Sequence, residues 1–175
     1  MTRRATATVL GIAAVVAAAW WWGFGPGHAA PGARRGTIAF DWRGTFNGRA
    51  VLAARVSWCP VTRIGVLDAI AADTGVEIVF YEQDSLSAVI HPVVGSSTNA
   101  AMPRPGATVA FRWSPGNDSL EGFKSGTGTA SLRWTGGMLS GTANAHLQAA
   151  TGFDTLRFFA TFDRLPVTAT AAGCN

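Results

Sequence analysis

The sequence predicts an all-β fold: an antiparallel β-sandwich, or flattened barrel, of about nine strands, preceded by one N-terminal hydrophobic helix. Three observations lead there. Apolar and polar residues alternate at period two from Thr37 onward. Glycine, proline and asparagine turn signals recur about every 8–14 residues. No βαβ alternation appears, so a parallel sheet is not expected.

The helix comes from Ala5–Phe24, ATATVLGIAAVVAAAWWWGF, a run of twenty residues without a charge. Twenty helical residues rise about 30 Å, close to the hydrocarbon thickness of a bilayer. Arg3 and Arg4 supply the positive flank. Trp20, Trp21 and Trp22 stand together at the far end, where amphipathic rings favour the lipid–water interface. Residues 1–30 are therefore expected to be a signal peptide or a signal-anchor transmembrane helix. The length and the Trp trio favour an uncleaved anchor, and the small residues around Gly27-His28-Ala29 favour cleavage. No cysteine stands near the end of the run for lipid attachment, and the flanks of the Arg pair match a twin-arginine signal poorly.

Residues 31–36 read as a Pro/Gly/Arg tether, and 37–175 as one domain large enough for a core of its own. With Arg3 and Arg4 set aside, twelve basic side chains face ten acidic ones. That is no polybasic footprint, so nucleic acid is not an expected partner. Export to an oxidising compartment would make the only two cysteines, Cys59 and Cys174, a disulfide.

The elements follow in order. Ile38, Phe40 and Trp42 form an inward row, and 44–48 a turn. Leu52, Ala54, Val56 and Trp58 form the next row, which Cys59-Pro60 ends. Residues 62–72 fit either a short helix or one arm of a hairpin. The hairpin is preferred, because the return arm, 76–81, is rich in β-branched and aromatic residues. Its turn is expected at Asp73-Thr74-Gly75, with Gly75 at positive φ. A strand over 88–94 is expected at a sheet edge, since Pro92 interrupts it. Residues 95–106 read as the longest loop. Further strands are expected around Val109–Trp113, 120–123, 130–134, 139–149, 156–162 and 166–170, with a turn at Gly136-Gly137.

Chemistry is sparse. Asp73-Thr74-Gly75 is the triplet that carries the carboxylate of aspartic proteases, but such sites need two carboxylates, and the triplet occurs once. His28, His91 and His146 have no metal-ligand spacing, and no G-x-S-x-G elbow positions a nucleophile. Neither catalytic nor metal residues are assigned, and no cofactor is expected. Asn117-Asp118-Ser119 fits a glycosylation sequon. Trp42, Trp58, Trp113 and Trp134 share parity with aliphatic neighbours and are expected in the core. Arg43, Arg55, Arg112, Arg133 and Arg157 have the opposite parity. Were their strands to share a sheet, these five would line its outer face and could meet an anionic envelope component.

The functional expectation is an exported, membrane-tethered binding or structural module of the cell envelope, released if the leader is cleaved. Two alternatives stand beside it. One is a small hydrolase with a loop-assembled site around Asp73 or His91. The other is a barrel carrying an apolar ligand above the small residues of 139–149.

Overall fold

A computed structural model describes residues 32–175, apart from 88, 96–101, 117–118, 171 and 175. The leader, with Trp20, Trp21, Trp22 and His28, lies outside the described residues, as does most of the sequon. Among the described residues no helix is long and apolar enough to cross a membrane.

The body is all-β. Its strands are β1 (Thr37–Gly44), β2 (Gly48–Ala53), β3 (Arg55–Cys59), β4 (Ile64–Ile70), β5 (Thr74–Tyr81), β6 (Ile90–Val94), β7 (Gly106–Trp113), β8 (Glu121–Thr135), β9 (Met138–Ala149) and β10 (Thr155–Ala169). They form one mixed sheet in the order β2-β1-β10-β3-β4-β5-β7-β6-β8-β9, with additional β10–β9 and β7–β8 pairings. The expected antiparallel arrangement of about nine strands is thus corrected to a mixed sheet of ten strands. β10 runs parallel to β3 at Val167, Thr168 and Ala169, and β6 touches β7 in parallel at Val93 and Ala107.

The extra pairings return the sheet to its own start. β10 pairs with β9 from Thr155 to Pro166 and with β1 from Leu156 to Asp163, then crosses to β3 at its end. Rings then meet across strands that share no hydrogen bonds. Phe40 of β1 and Phe158 of β10 lie 5.6 Å apart, and each meets Phe111 of β7, at 6.0 and 5.6 Å. Trp42 lies 4.9 Å from Phe111, and Phe80 of β5 lies 6.5 Å from Phe162 of β10. The sheet is therefore folded over on itself, sandwich-like, around an aromatic core. The inward row Ile38, Phe40 and Trp42 is buried. Trp58, Trp113 and Trp134 are half-buried against the same core.

Several local expectations are corrected. Leu52 to Trp58 was expected to run as one strand, but the row divides at Ala54: β2 pairs with β1, and β3 with β4 and β10. The expected short strands at 120–123 and 130–134 are one strand, β8. A register shift between Ser125 and Thr127 absorbs the break in pattern that had suggested a loop. Likewise 156–162 and 166–170 merge into β10, with a bulge after Phe162 where Arg164 takes a φ of 46°. β6 is not an edge strand. It lies between β7 and β8, and Pro92 is tolerated because β7 touches β6 at a single pair, so the donor proline lacks is not demanded.

The hairpin over 64–81 forms as preferred, with Ile70 paired to Gly75. Its turn sits one step earlier than expected, closed by the Ala71 N–H donating to the Thr74 carbonyl at 2.8 Å. Gly75 lies within β5, outside the residues at positive φ. Its reason for being glycine is space: a Cβ there would stand 2.9 Å from Arg112 Nε. Gly136 and Gly137, with φ of 58° and 75°, do form the expected two-residue turn between β8 and β9.

Phe158 is fully buried at the centre of the ring cluster. Phe158→Ala is expected to cost about 3–5 kcal/mol. Urea unfolding should show this as a lower midpoint with an unchanged slope, and a loss below about 1 kcal/mol would contradict the packing described.

Candidate functional site

Cys59 and Cys174 are bonded, with Cα atoms 5.6 Å apart across 115 residues of chain. The bridge sits where β10 runs out along β3, beside Thr170, whose N–H donates to the Trp58 carbonyl at 2.9 Å. It ties the C-terminal residues to the parallel seam.

The five arginines lie on strands of one sheet, but they do not stand together. Arg43 and Arg157 are directly opposite each other, and His146 is the next residue in that row. Arg43 also lies 3.6 Å from Asp41. Arg55 is spent on Asp68, at 3.2 Å. Arg112 lies across Gly75 on the opposite layer. Arg133 is near the far end of β8, opposite Ser140.

Two of the concavities on the outer surface are formed by described residues. One, about 330 Å³, lies over β4, β5, β7 and β8, where Gly75, Ala110 and Gly122 make a low floor between Ile70, Glu77 and Lys124. The other, about 360 Å³, lies over β8 and β9 between Ser131, Arg133, Ser140 and Thr142.

The buried polar chemistry is elsewhere. Glu82 and His91 are 2 % and 0 % exposed, and His91 Nε2 lies 2.9 Å from Glu82 Oε1. Sequence reasoning placed His91 in its strand but missed its partner, because Glu82 lies in the irregular segment after β5. His91 Nδ1 lies 3.2 Å from the Val89 carbonyl. A carbonyl only accepts, so Nδ1 carries a proton, and the second proton is shared between Nε2 and Glu82. The pair is neutral overall whichever atom holds that proton, which makes its burial tolerable. Ser87 Oγ, 3.3 Å from Glu82 Oε2, completes the set. Arg104 Nη1 donates to the Glu82 and Thr62 carbonyls at 2.7 and 3.1 Å, fastening the same loop to the β3–β4 turn.

This pair does not form a hydrolytic site with Asp73. Asp73 is exposed on the β4–β5 turn, whose carbonyl accepts from the Ser114 N–H at 2.7 Å, beside the start of β8. His91 lies opposite Ala130, further along β8. From Glu121, where β8 begins, to Ala130 is roughly 30 Å of extended strand. Nor do the small residues of β9 face open space: a Cβ on Gly141 would stand 2.8 Å from the Phe162 ring. Among the described residues no three His, Cys, Asp or Glu side chains gather as metal ligands would.

Compared with protein-family models, curated proteins and solved structures, the chain gives no match.

The buried pair generates a direct test. His91→Ala leaves Glu82 without its partner and is expected to cost about 3–5 kcal/mol. The double substitution Glu82→Leu, His91→Phe is expected to cost less than the sum of the two single changes. Equilibrium urea unfolding of the parent, Glu82→Leu, His91→Phe and the double variant measures this, and strict additivity would show that the two groups do not act as a unit.

Proposed function

We propose that this chain is an exported, membrane-tethered β-sandwich whose body serves as a binding module of the cell envelope. The observation that carries the reading is the Cys59–Cys174 bridge. A disulfide spanning most of a small body persists in oxidising compartments and is rare in the cytosol. The uncharged run Ala5–Phe24 behind Arg3 and Arg4 supplies the route there. The tether would enter the body at Thr37, and Arg35 bridges to Asp163 beside it. The four hairpin turns after β1, β4, β7 and β9 then point away from that end. If the leader is cleaved, the same body is released outside the membrane.

The hydrolase and carrier readings have less support. His91 is buried against Glu82, Asp73 is an exposed turn residue, and Phe162 packs onto the glycine of β9. A flattened barrel describes the body as well as a sandwich does, since the pairings close through β10.

Alkaline phosphatase, active only after export, fused behind Asn175 tests the route. The full chain should give active reporter, and deletion of residues 5–24 should abolish that activity. An inactive fusion on the intact chain, with the fusion protein present at normal level, would overturn the reading.

A further inference from the structure

The outer face of β6, β8, β9, β10, β1 and β2 carries an unusual set of side chains. Its outward positions on β8 are Thr127, Thr129, Ser131 and Arg133. On β9 they are Ser140, Thr142, Asn144, His146 and Gln148. On β10 they are Thr155, Arg157, Phe159 and Thr161. One acid, Asp163 of β10, shares this face, and the Ser140 hydroxyl donates to it at 3.3 Å. Among the described residues the other side chains named make no side-chain hydrogen bond. Apart from the buried Thr161 hydroxyl, their hydroxyl, amide and guanidinium groups are mostly exposed.

The register gives this face a shape. One row across the strands reads Ile90, Ser131, Thr142, Thr161, Ala39 and Val51. Its open part lies over β8 and β9, with short exposed side chains, while Ala39 and the Thr161 hydroxyl are buried. The neighbouring row carries Pro92, Thr129, Asn144, Phe159, Asp41 and Arg49, which are longer at its middle. On the other side stand Arg133 and Ser140, where the depression of about 360 Å³ lies. Six strands at about 4.8 Å spacing make the row some 24 Å long, and the depression over β8 and β9 is the trough in it. Beyond the Asn144 row, Arg43 and Arg157 oppose each other directly, like charges that Asp41, 3.6 Å from Arg43, partly offsets. The acids nearest the trough are already engaged, Asp41 by Arg43 and Asp163 by Arg164, at 3.6 and 3.0 Å.

We propose that this trough binds a strand of anionic polysaccharide. The inference rests on the envelope-module reading only for its compartment, and it names the partner of that module. A sugar chain presents hydroxyls at short intervals, which matches a floor of unspent Ser and Thr. Its carboxylate or phosphate groups match Arg133 on one bank and Arg157 with Arg43 on the other, since guanidinium takes such groups through paired hydrogen bonds. Ile90, exposed at one end of the row, and half-buried Phe159 offer apolar surface to the C–H faces of sugar rings. A bilayer is a poorer fit, because the open part of the face is concave and hydrophilic.

The test uses the full chain, disulfide intact, in neutral detergent micelles, passed over beads of polygalacturonate and of neutral dextran. Retention on polygalacturonate should exceed that on dextran and fall as salt rises. Arg133→Ala with Arg157→Ala should weaken it by about ten- to a hundredfold, the range for lost hydrogen bonds to charged groups. Arg55→Ala, on the other layer, should leave retention unchanged. No retention, equal retention of the double variant, or equal loss with Arg55→Ala would overturn the proposal. So would displacement of the bound chain by phosphatidylglycerol micelles at matched charge, which would assign the face to lipid. The export reading has its own readout: an active reporter fusion with no bead retention removes the polysaccharide and leaves the exported module standing.

Discussion

The structure depends on one strand doing two jobs. β10 holds β9 and β1 on its two sides, then bends past Phe162 and extends along β3. That crossing supplies the direct strand pairing between the layer of β1, β9 and β10 and β3. The crossing is also a thin seam, a parallel contact of three residue pairs, and parallel pairing is slightly weaker per residue than antiparallel. The bridge from Cys59 to Cys174 falls on this seam. In the chain-entropy description, closing a loop of this length stabilises by about 4–5 kcal/mol, a large share of the stability of a body this size.

From the seam, the core follows. Folding β10 over brings Phe158 and Phe162 onto Phe111 and Phe80, and the small residues of β9 make room for those rings. One conflict remains inside. Trp42 Nε1 is buried with no partner among the described residues. Trp42 gains contact with Phe111 and Trp113, which offsets an unmade hydrogen bond costing about 1–3 kcal/mol.

Much of the body was legible in the sequence because alternation is a local signal. The rows beginning at Ile38 and Val109 lie inward as their parity implied, and Gly136-Gly137 could hardly be anything but a two-residue turn. What was not legible was non-local. Nothing in Thr155 to Ala169 says that one strand will change partners near its end. The bulges after Ser125 and Phe162 looked like breaks, because an extra residue shifts parity in the same way that a loop does. Glu82 gave no sign of meeting His91, since a buried polar pair has no period. The arginine parity was correctly read as outward, but parity carries no information on position along a strand. Hence Arg43 and Arg157 meet, while Arg55 and Arg112 belong to the other layer.

The measurement closest to the centre of this account is differential alkylation of the chain recovered from intact cells, read by intact mass before and after reduction. The account predicts no alkylation at Cys59 or Cys174 until reductant is added, then two additions per molecule, with the urea midpoint falling on reduction. Two free thiols in the native chain, or an unchanged midpoint after reduction, would contradict it.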